Sequence, residues 1–315
     1  MRPTAPATGR VAVFSVAPIL VITVEDDRSS ATHVNVGGQG PWVARAIATL
    51  GGTPVLCAPF GGDTGRTARL LLDDSGFELS ATTTASPSGI YVERRDERGT
   101  RHCLYEVPAA PLGPRDLDDV YEAALRHGIE TGTCVVTGSP FPDHLDPAVV
   151  SRLCKDLHAA GVVVVADLSG EHLDAALDAG VDWLKVADDE LTRDERCSDG
   201  EAEVWCWLDG VVEAGKVRVA AVASSSTGPT LARTPRHRIT AQGPHLEVVD
   251  TRGSGDAMCA ALALAHGNDL PPADAIRIGL AAGAANATRR STAAPGIEAV
   301  LSLQSTVELA VQRVA

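Results

Sequence analysis

The chain has 315 residues, with 27 lysines and arginines against 41 aspartates and glutamates, which gives a formal net charge of −14. General binding to nucleic acid or to an anionic membrane needs a basic surface, so this charge argues against both. An anionic small molecule is still compatible, because backbone amides and one or two arginines are enough to bind it. The seven cysteines form no CxxC pair, which predicts reduced, buried thiols in a cytoplasmic protein and no zinc site.

The first apolar run, Val11 to Val24, superficially resembles a signal peptide. Pro18 interrupts it, acidic residues follow it in place of a cleavage site, and it is too short to cross a bilayer as a helix. A buried strand at 11–16 and a second extended segment at 21–24 are therefore predicted.

The next segments predict a short strand at 33–36 and a helix between Gly37 and Gly52, which glycines open and close. A strand at 54–62 and a helix at 63–76 follow. The segment 88–107 has two extended runs around a charged turn, which is typical of a hairpin.

Strands then alternate regularly with helices. Strands are predicted at 133–138, 162–169, 181–187, 217–226, 236–240 and 245–249, and helices at 117–128, 145–161, 171–180, 189–195, 201–215, 257–266 and 273–287. Such alternation with continuous valine runs predicts an α/β fold whose parallel sheet is covered on both faces. We interpret residues 1–315 as one domain. The two extended regions at about 17–36 and 88–107 do not fit the alternation and are predicted to form a small β appendage.

The stretch DTRGSGDAM, Asp250 to Met258, places two glycines just before a long helix. Ligands of open α/β sheets bind at the carboxyl ends of strands, near helix N-termini. The amides of Gly253, Ser254 and Gly255 are therefore candidates for a phosphate-binding anion hole. Asp256 at the helix start is a candidate general base for phosphoryl transfer, although N-capping of the helix explains it equally well.

Several motifs in one order resemble the PfkB/ribokinase-like carbohydrate kinases. They are DTRGSGDA at 250–257, VGGQGPWVARAIATLGG at 36–52, FGGDTGRTARLLLDDSG at 60–76, and the shorter VTGSPFP, ADLSGEHL, LKVADDEL and AAGAANAT. Together they cover nearly the whole chain. The resemblance is nearest to the 1-phosphofructokinase and tagatose-6-phosphate kinase branch.

This resemblance implies a ribokinase-like three-layer α/β/α sandwich with a mostly parallel central sheet and a small β-sheet lid over the substrate. It implies transfer of the γ-phosphate of ATP to a hydroxyl of a sugar-like small molecule, with Asp256 as the base and Mg²⁺ bridging the phosphates. It also implies a possible homodimer through the lid, whose exposed edge gives a physical reason to pair.

The resemblance also implies roles for particular residues. Those for ATP are Lys185, Ser225, Gly228, Arg252 and Asn286; those for the substrate are Gly38, Gln39, Trp42 and Arg45; and Glu190 serves Mg²⁺ through water. A solvent-facing position for Arg45 is an equal alternative from the residue alone. Arg252 is suited to either a substrate or a nucleotide phosphate.

The sequence departs from the branch on the acceptor side. Ala17 and Val21 stand at an asparagine and an aspartate position, Gln39 stands where a lysine is usual, and Trp42 replaces a polar residue. A neutral amide does not pair with a phosphate as lysine does. These changes predict an acceptor less polar than fructose 1- or 6-phosphate, or the loss of sugar kinase activity.

The nucleotide side departs as well, with Ala187 at an asparagine position and Ser225 at a glycine position. The alternative hypothesis is therefore a regulatory protein that binds a nucleotide or small molecule on a kinase scaffold with little turnover. Retention of Asp256 beside an anion hole favours the kinase. An NAD-dependent oxidoreductase is excluded, because the GGxG segment lacks an acidic residue at the ribose spacing.

Overall fold

Fourteen strands form two sheets in the computed structural model, which describes residues 9–26, 31–97, 99–139, 141, 144–198, 200–225, 227–244, 246–290 and 294–314. The strands are β1 (Arg10–Phe14), β2 (Ile19–Asp26), β3 (Thr32–Gly37), β4 (Thr53–Gly61), β5 (Glu78–Thr84), β6 (Gly89–Asp96), β7 (Arg101–Val107), β8 (Thr133–Thr137), β9 (Val163–Asp167), β10 (Val181–Ala187), β11 (Val217–Ser224), β12 (Thr230–Arg233), β13 (His237–Gln242) and β14 (Glu308–Arg313).

The larger sheet has ten strands in the order β14-β13-β12-β11-β10-β9-β8-β1-β4-β5. The strands from β11 to β5 pair in parallel, and β12, β13 and β14 extend the sheet with antiparallel pairs. Because parallel strands align their carboxyl ends, the loops after β1, β8, β9, β10 and β11 meet along one edge of this sheet.

Ten helices of the described chain cover the two faces of this sheet. They are α1 (Gln39–Thr49), α2 (Gly62–Asp73), α3 (Pro114–Thr131), α4 (Pro147–Ala159), α5 (Gly170–Ala179), α6 (Asp188–Arg193), α7 (Glu201–Glu213), α8 (Ser254–His266), α9 (Pro272–Ala287) and α10 (Ile297–Leu303). One apolar core lies between the sheet and helices α1, α2, α8, α9 and α10, and the other lies beneath α3 to α7. The three-layer α/β/α sandwich is thus confirmed.

Local sequence signals explain where the helices of the second layer begin and end. Asp146 accepts a hydrogen bond from the Ala148 amide at 2.8 Å, and Pro147 occupies the first turn of α4, where its missing N–H costs nothing. Helix α3 ends at Gly132 with φ of 74°, a left-handed conformation that suits glycine.

The smaller sheet has four strands in the order β3-β2-β6-β7, and we call it the lid sheet. Its central pair, β2 and β6, is parallel, with Leu20 opposite Ile90, while β3 and β7 pair antiparallel on the two edges. The hairpin expected at 88–107 is present as β6 and β7. The lid strands arise from the two regions that do not fit the α/β alternation.

The strand expected at 245–249 is wrong over the part that the structure describes, because Leu246 to Val249 form no strand and His245 lies outside the described residues. Val248 is 59% exposed, so the apolar residues of this segment are not buried against the sheet as a strand there would require. The position beside β13 is taken instead by β14, from the far end of the chain. The strand that covers this edge of the sheet therefore comes from the far end of the chain, and the local sequence pattern did not predict it.

The seven cysteines fall into three groups by exposure, and Cys197 alone is partly buried. Four are buried as expected, namely Cys57, Cys134, Cys154 and Cys259. Burial raises the pKa of the Cys57 thiol to about 12, so it has little thiolate character. Cys103 and Cys206 are exposed, and for these two the prediction of buried thiols is wrong.

Helices of membrane-spanning length and hydropathy were not found in the described ranges.

Candidate active site

The glycine-rich loop leads directly into the N-terminus of α8, which begins at Ser254. Gly253 is the residue that precedes the helix and has φ of 80°, where a side chain would be strained. The first amides of α8 therefore point out of its N-terminus, as an anion site requires. Asp256 is the third residue of the helix and its side chain makes no capping hydrogen bond, so the structure gives no support to the N-capping hypothesis.

Asp256 lies next to a buried ion pair. Lys185 Nζ on β10 is 3.1 Å from Asp167 Oδ1 at the end of β9, and both side chains are almost fully buried. A Cβ atom placed on Gly255 would be only 2.7 Å from Lys185 Nζ, so the ammonium packs directly against the loop at 250–256, which we call the anion loop. Glycine at position 255 is what permits this contact.

The electrostatic environment keeps a proton on Asp256 over a wide pH range. Burial is the largest cause, and with the negative charge of Asp167 it raises the pKa of Asp256 to about 8, although the positive charge of Lys185 opposes this. Burial also disfavours the Lys185 ammonium, but Asp167 and Glu190 outweigh it and raise the pKa of Lys185. Asp256 Oδ1 and Asp167 Oδ2 are buried without a hydrogen-bond partner in the described structure.

Glu190 borders the same group from the start of α6. Its Oε2 accepts a hydrogen bond from the Ala187 amide at 3.0 Å, so the backbone at position 187 orients the carboxylate even though the asparagine side chain is missing. Burial raises the pKa of Glu190, and Lys185 opposes this rise.

A cavity of about 400 Å³ lies at the carboxyl ends of β10 and β11. The residues that line it include Ser225 and Gly228 after β11 and Asp188 and Asp189 at the start of α6. Ser225 Oγ accepts hydrogen bonds from the amides of Gly228 at 2.9 Å and Thr227 at 3.2 Å, so this hydroxyl shapes the turn. We call this the nucleotide-side cavity.

A second cavity, of about 230 Å³, lies between the lid sheet and the N-terminal part of α1. We call it the lid cavity. Trp42 and Arg45 of α1 line it together with Val21 of β2. Arg252 of the anion loop forms part of its wall, so the cavity extends to the loop that carries Asp256.

Ion pairs join the lid sheet to the anion loop. Asp250 Oδ1 accepts a hydrogen bond from the Arg252 amide at 3.1 Å, and its Oδ2 accepts one from Arg101 of β7. Arg252 Nη1 in turn donates to Glu93 Oε2 on β6 at 2.9 Å. Arg95 donates to Glu25 at 3.0 Å and is 3.9 Å from Asp250. Arginines of the lid sheet thus pair with a carboxylate of the anion loop, and an arginine of the loop pairs with a carboxylate of the lid sheet.

The other residues implied by the resemblance are placed as follows. Gly38 precedes α1 with φ of 102°, and Gln39 Oε1 accepts a hydrogen bond from the Gly138 amide at 3.0 Å. Asn286 of α9 donates to the Arg252 carbonyl at 2.9 Å and to Ser254 Oγ at 3.2 Å, so it supports the anion loop. Arg252 faces the lid cavity rather than the nucleotide-side cavity.

Sequence reasoning assigned no role to Asp167 or to the lid charges Glu93, Arg95 and Arg101. Asp167 was within reach, because ADLSGEHL at the end of a predicted strand puts a carboxylate at the ligand-binding edge. The lid charges lie in the segment predicted as a hairpin, where only Arg95 falls in the charged turn. Glu93 and Arg101 pair with each other, but the other partners, Glu25, Asp250 and Arg252, lie far away in the chain.

Comparison with known proteins agrees with this geometry. A profile of the pfkB family carbohydrate kinases matches residues 9–299. The ATP-dependent 6-phosphofructokinase isozyme 2 of Escherichia coli (strain K12) is 26% identical over 274 residues, which cover 84% of this chain and 85% of the relative. The 1-phosphofructokinase of Haloferax volcanii is 27% identical over 287 residues, which cover 91% of this chain and 90% of the relative.

Solved structures show the same fold. Phosphofructokinase-2 from Escherichia coli in complex with potassium has a TM-score of 0.86 at 23% identity, with 95% of this chain and 99% of that chain covered. Arabidopsis thaliana ribokinase complexed with ribose and ATP has a TM-score of 0.72 at 20% identity, with 95% and 99% covered. From the profile match over most of its length, we conclude that this chain belongs to the PfkB family of carbohydrate kinases.

Proposed function

We propose that the protein transfers the γ-phosphate of ATP to a hydroxyl group of a sugar or sugar-like molecule, with Asp256 as the general base. The observation that carries this proposal is the Asp256 carboxylate itself, which is buried beside the anion loop and has an oxygen without a hydrogen-bond partner in the described structure. The ATP dependence named for the Escherichia coli relative supports the choice of phosphate donor.

The proposed step is an in-line displacement at the γ-phosphorus. The acceptor oxygen forms a new bond to phosphorus, the bond from phosphorus to the β,γ-bridging oxygen breaks, and ADP leaves with that electron pair. The hydroxyl proton passes to the carboxylate of Asp256. Amides of Gly253, Ser254 and Gly255 at the N-terminus of α8 stabilise the negative charge on the transferred group.

We assign ATP to the nucleotide-side cavity, which Ser225 and Gly228 line. Lys185 contributes to this site through its ammonium group, which packs against Gly255 and places a positive charge next to the anion loop. Asn286 serves it by holding the Arg252 carbonyl and the Ser254 hydroxyl in place.

The side chains fit a magnesium ion that is held mainly by water and phosphate oxygens. In the described residues, no group of three or more His, Cys, Asp or Glu side chains is arranged to hold a metal by itself. Mg²⁺ keeps several waters and uses few carboxylates, and Glu190 supplies a carboxylate oxygen to such a shell. When bound, the ion neutralises charge on the phosphates.

We expect Asp256→Asn to lower kcat by about 10²- to 10⁴-fold, because the amide accepts no proton from the hydroxyl. Coupled measurement of ADP release against a panel of sugars, sugar phosphates and nucleosides checks this. The free energy of unfolding of Asp256→Asn at neutral pH is expected to be no lower than that of the wild type. The raised pKa of Asp256 means that its carboxyl destabilises the folded state as pH rises above its ordinary pKa, and asparagine removes this cost. If wild-type protein binds ATP but turns over no acceptor, the regulatory alternative replaces the kinase.

The pH dependence of kcat/KM follows from the same group. Asp256 acts as base only when ionised, and its pKa is raised to about 8, so kcat/KM rises with pH through neutrality and levels off above that value. Initial rates at low substrate concentration across the pH range measure this. A profile that is already level at mildly acidic pH contradicts the assignment.

Gly255→Ala tests the contact between Lys185 and the loop. The added methyl group meets the ammonium at 2.7 Å, so the loop or the lysine is displaced and kcat falls by roughly 100-fold. Gly210→Ala in α7 is the matched control, because a methyl group there has open space around it. It should leave kcat unchanged and add about 0.5 to 1 kcal/mol of stability. Equal kcat values for the two variants would refute the packing argument.

We further propose a homodimer that pairs the lids. Leu104 and Tyr105 on the edge strand β7 are 57% and 60% exposed, and Val34 on the opposite edge strand is 42% exposed. Exposed apolar side chains on an unpaired strand edge favour association. We expect Leu104→Glu to reduce the mass seen by light scattering from dimer to monomer, while Ile129→Glu on α3 does not. A wild-type monomer at all concentrations rules the dimer out.

A further inference from the structure

Glu93 is a completely buried carboxylate on strand β6 of the lid sheet. Its Oε1 accepts hydrogen bonds from Thr23 Oγ1 of β2 at 2.8 Å and from Arg101 of β7. Its Oε2 accepts one from Arg252 Nη1 at 2.9 Å. Fold stability alone does not account for such a residue, because a well-packed apolar side chain of similar volume often stabilises a protein as well as a buried ion pair does. The two arginines that it binds both lead to the anion loop.

These arginines connect Glu93 to two positions of the loop. Arg252 belongs to the loop itself. Arg101 contacts Glu93 and also donates to Asp250 Oδ2. The other oxygen of Asp250 accepts a hydrogen bond from the Arg252 amide at 3.1 Å. One carboxylate of the lid sheet therefore holds position 252 directly and position 250 through one intermediate side chain.

Arg252 is held at three points. Its guanidinium contacts Glu93, its amide donates to Asp250, and its carbonyl accepts a hydrogen bond from Asn286 of α9 at 2.9 Å. The guanidinium carbon also lies 5.4 Å from the centre of the Tyr91 ring, within the range of a cation–π contact. The side chain of Arg252 is thus directed into the lid sheet.

The backbone that follows position 252 forms the proposed anion hole. Gly253 has φ of 80°, and a glycine has the widest choice of backbone conformations. The Ser254 amide donates to the Thr251 carbonyl at 3.1 Å, which closes the turn before α8 begins. A residue fixed on one side of this glycine and a helix on the other leave the first amides of α8 little freedom of direction.

The lid cavity brings together arginines from three elements: Arg45 of α1, Arg95 of the lid sheet and Arg252 of the anion loop. Arg95 donates to Glu25, which is within the lid sheet, whereas Arg252 pairs across the boundary between the lid sheet and the loop. The contact between Arg252 and Glu93 is therefore suited to set the position of the loop relative to the lid sheet.

We propose that Glu93 is a positioning residue for phosphoryl transfer. From the lid sheet it fixes Arg252, and through Arg101 also Asp250, so that the first amides of α8 point at the transferred group. This inference rests on the proposed kinase function and adds to it a residue outside the loop and the nucleotide-side cavity.

Glu93→Gln tests the proposal, because glutamine keeps the size of the side chain and removes its charge. We expect kcat on the best acceptor of the panel to fall roughly 10- to 100-fold, since small misplacements of groups that act on the transition state are costly. The KM values for ATP and for that acceptor should change less than about 3-fold, because the affected contact is made in the transition state. Glu106→Gln, an exposed glutamate on β7, is the matched control and should leave both constants unchanged.

A double-mutant cycle shows whether Glu93 acts through Arg252. Once Arg252→Gln has removed the partner, Glu93→Gln should lower kcat by less than about 3-fold more. Effects of the two substitutions that simply multiply would overturn the proposed route.

Hydrogen exchange followed by mass spectrometry gives a readout that needs no turnover. The amides of Arg252 and Ser254 are hydrogen-bonded within the loop, so a peptide that contains residues 250–256 should exchange faster in Glu93→Gln than in wild-type protein. Peptides from β8 and β9 should exchange as in the wild type. If Glu93→Gln does not fold, Glu93→Asp replaces it. Its shorter side chain should give a smaller loss of kcat and a smaller rise in exchange, and wild-type values of both overturn the proposal.

The two readouts separate this proposal from the function on which it rests. A lower kcat together with faster loop exchange supports both. Wild-type kcat in Glu93→Gln, or a lower kcat with unchanged loop exchange, overturns the positioning role and leaves the kinase. Faster loop exchange in the variant, when wild-type protein transfers phosphate from ATP to no acceptor, overturns the kinase and supports the hold of Glu93 on the loop.

Discussion

The ion pair between Lys185 and Asp167 sets the chemistry of the whole site. It places a positive charge under the anion loop, where Gly255 leaves room for it, and a negative charge close to Asp256. In the kinase mechanism that we propose, the first charge would favour a bound phosphate, and the second raises the proton affinity of Asp256, the proposed base. A general base buried without this lysine would be harder still to ionise, and one without this aspartate would be a weaker proton acceptor.

The same logic of paired charges connects the lid to the loop. Asp250 accepts from the Arg252 amide within the loop and from Arg101 in the lid, so one carboxylate orients both parts. The carboxylate of Glu93, which is completely buried, forms ion pairs with both Arg252 and Arg101. The shape of the anion loop and the position of the lid are therefore set by shared contacts, and a ligand that attracts Arg252 acts on both.

The sequence was sufficient to predict the sandwich, the lid segments and the glycine loop, because each depends on local periodicity or on a short motif. It was not sufficient for β14, since the choice between residues 245–249 and 308–313 as the neighbour of β13 depends on packing across the chain. Nor did it predict the pairing of Arg252 with Glu93, 159 positions apart. The arginine-lined cavity was missed for the same reason, since Arg45, Arg95 and Arg252 come together only in three dimensions.

The ionic contact between lid and loop also fixes how the lid responds to temperature. Apolar contacts carry a large heat-capacity change and weaken on cooling, whereas this contact is made largely by Glu25, Glu93 and Asp250 with arginines. Charged groups become easier to desolvate as temperature rises. The ionic contact between lid and loop therefore becomes more stabilising on warming, at temperatures where the hydrophobic stabilisation of the sandwich no longer increases much.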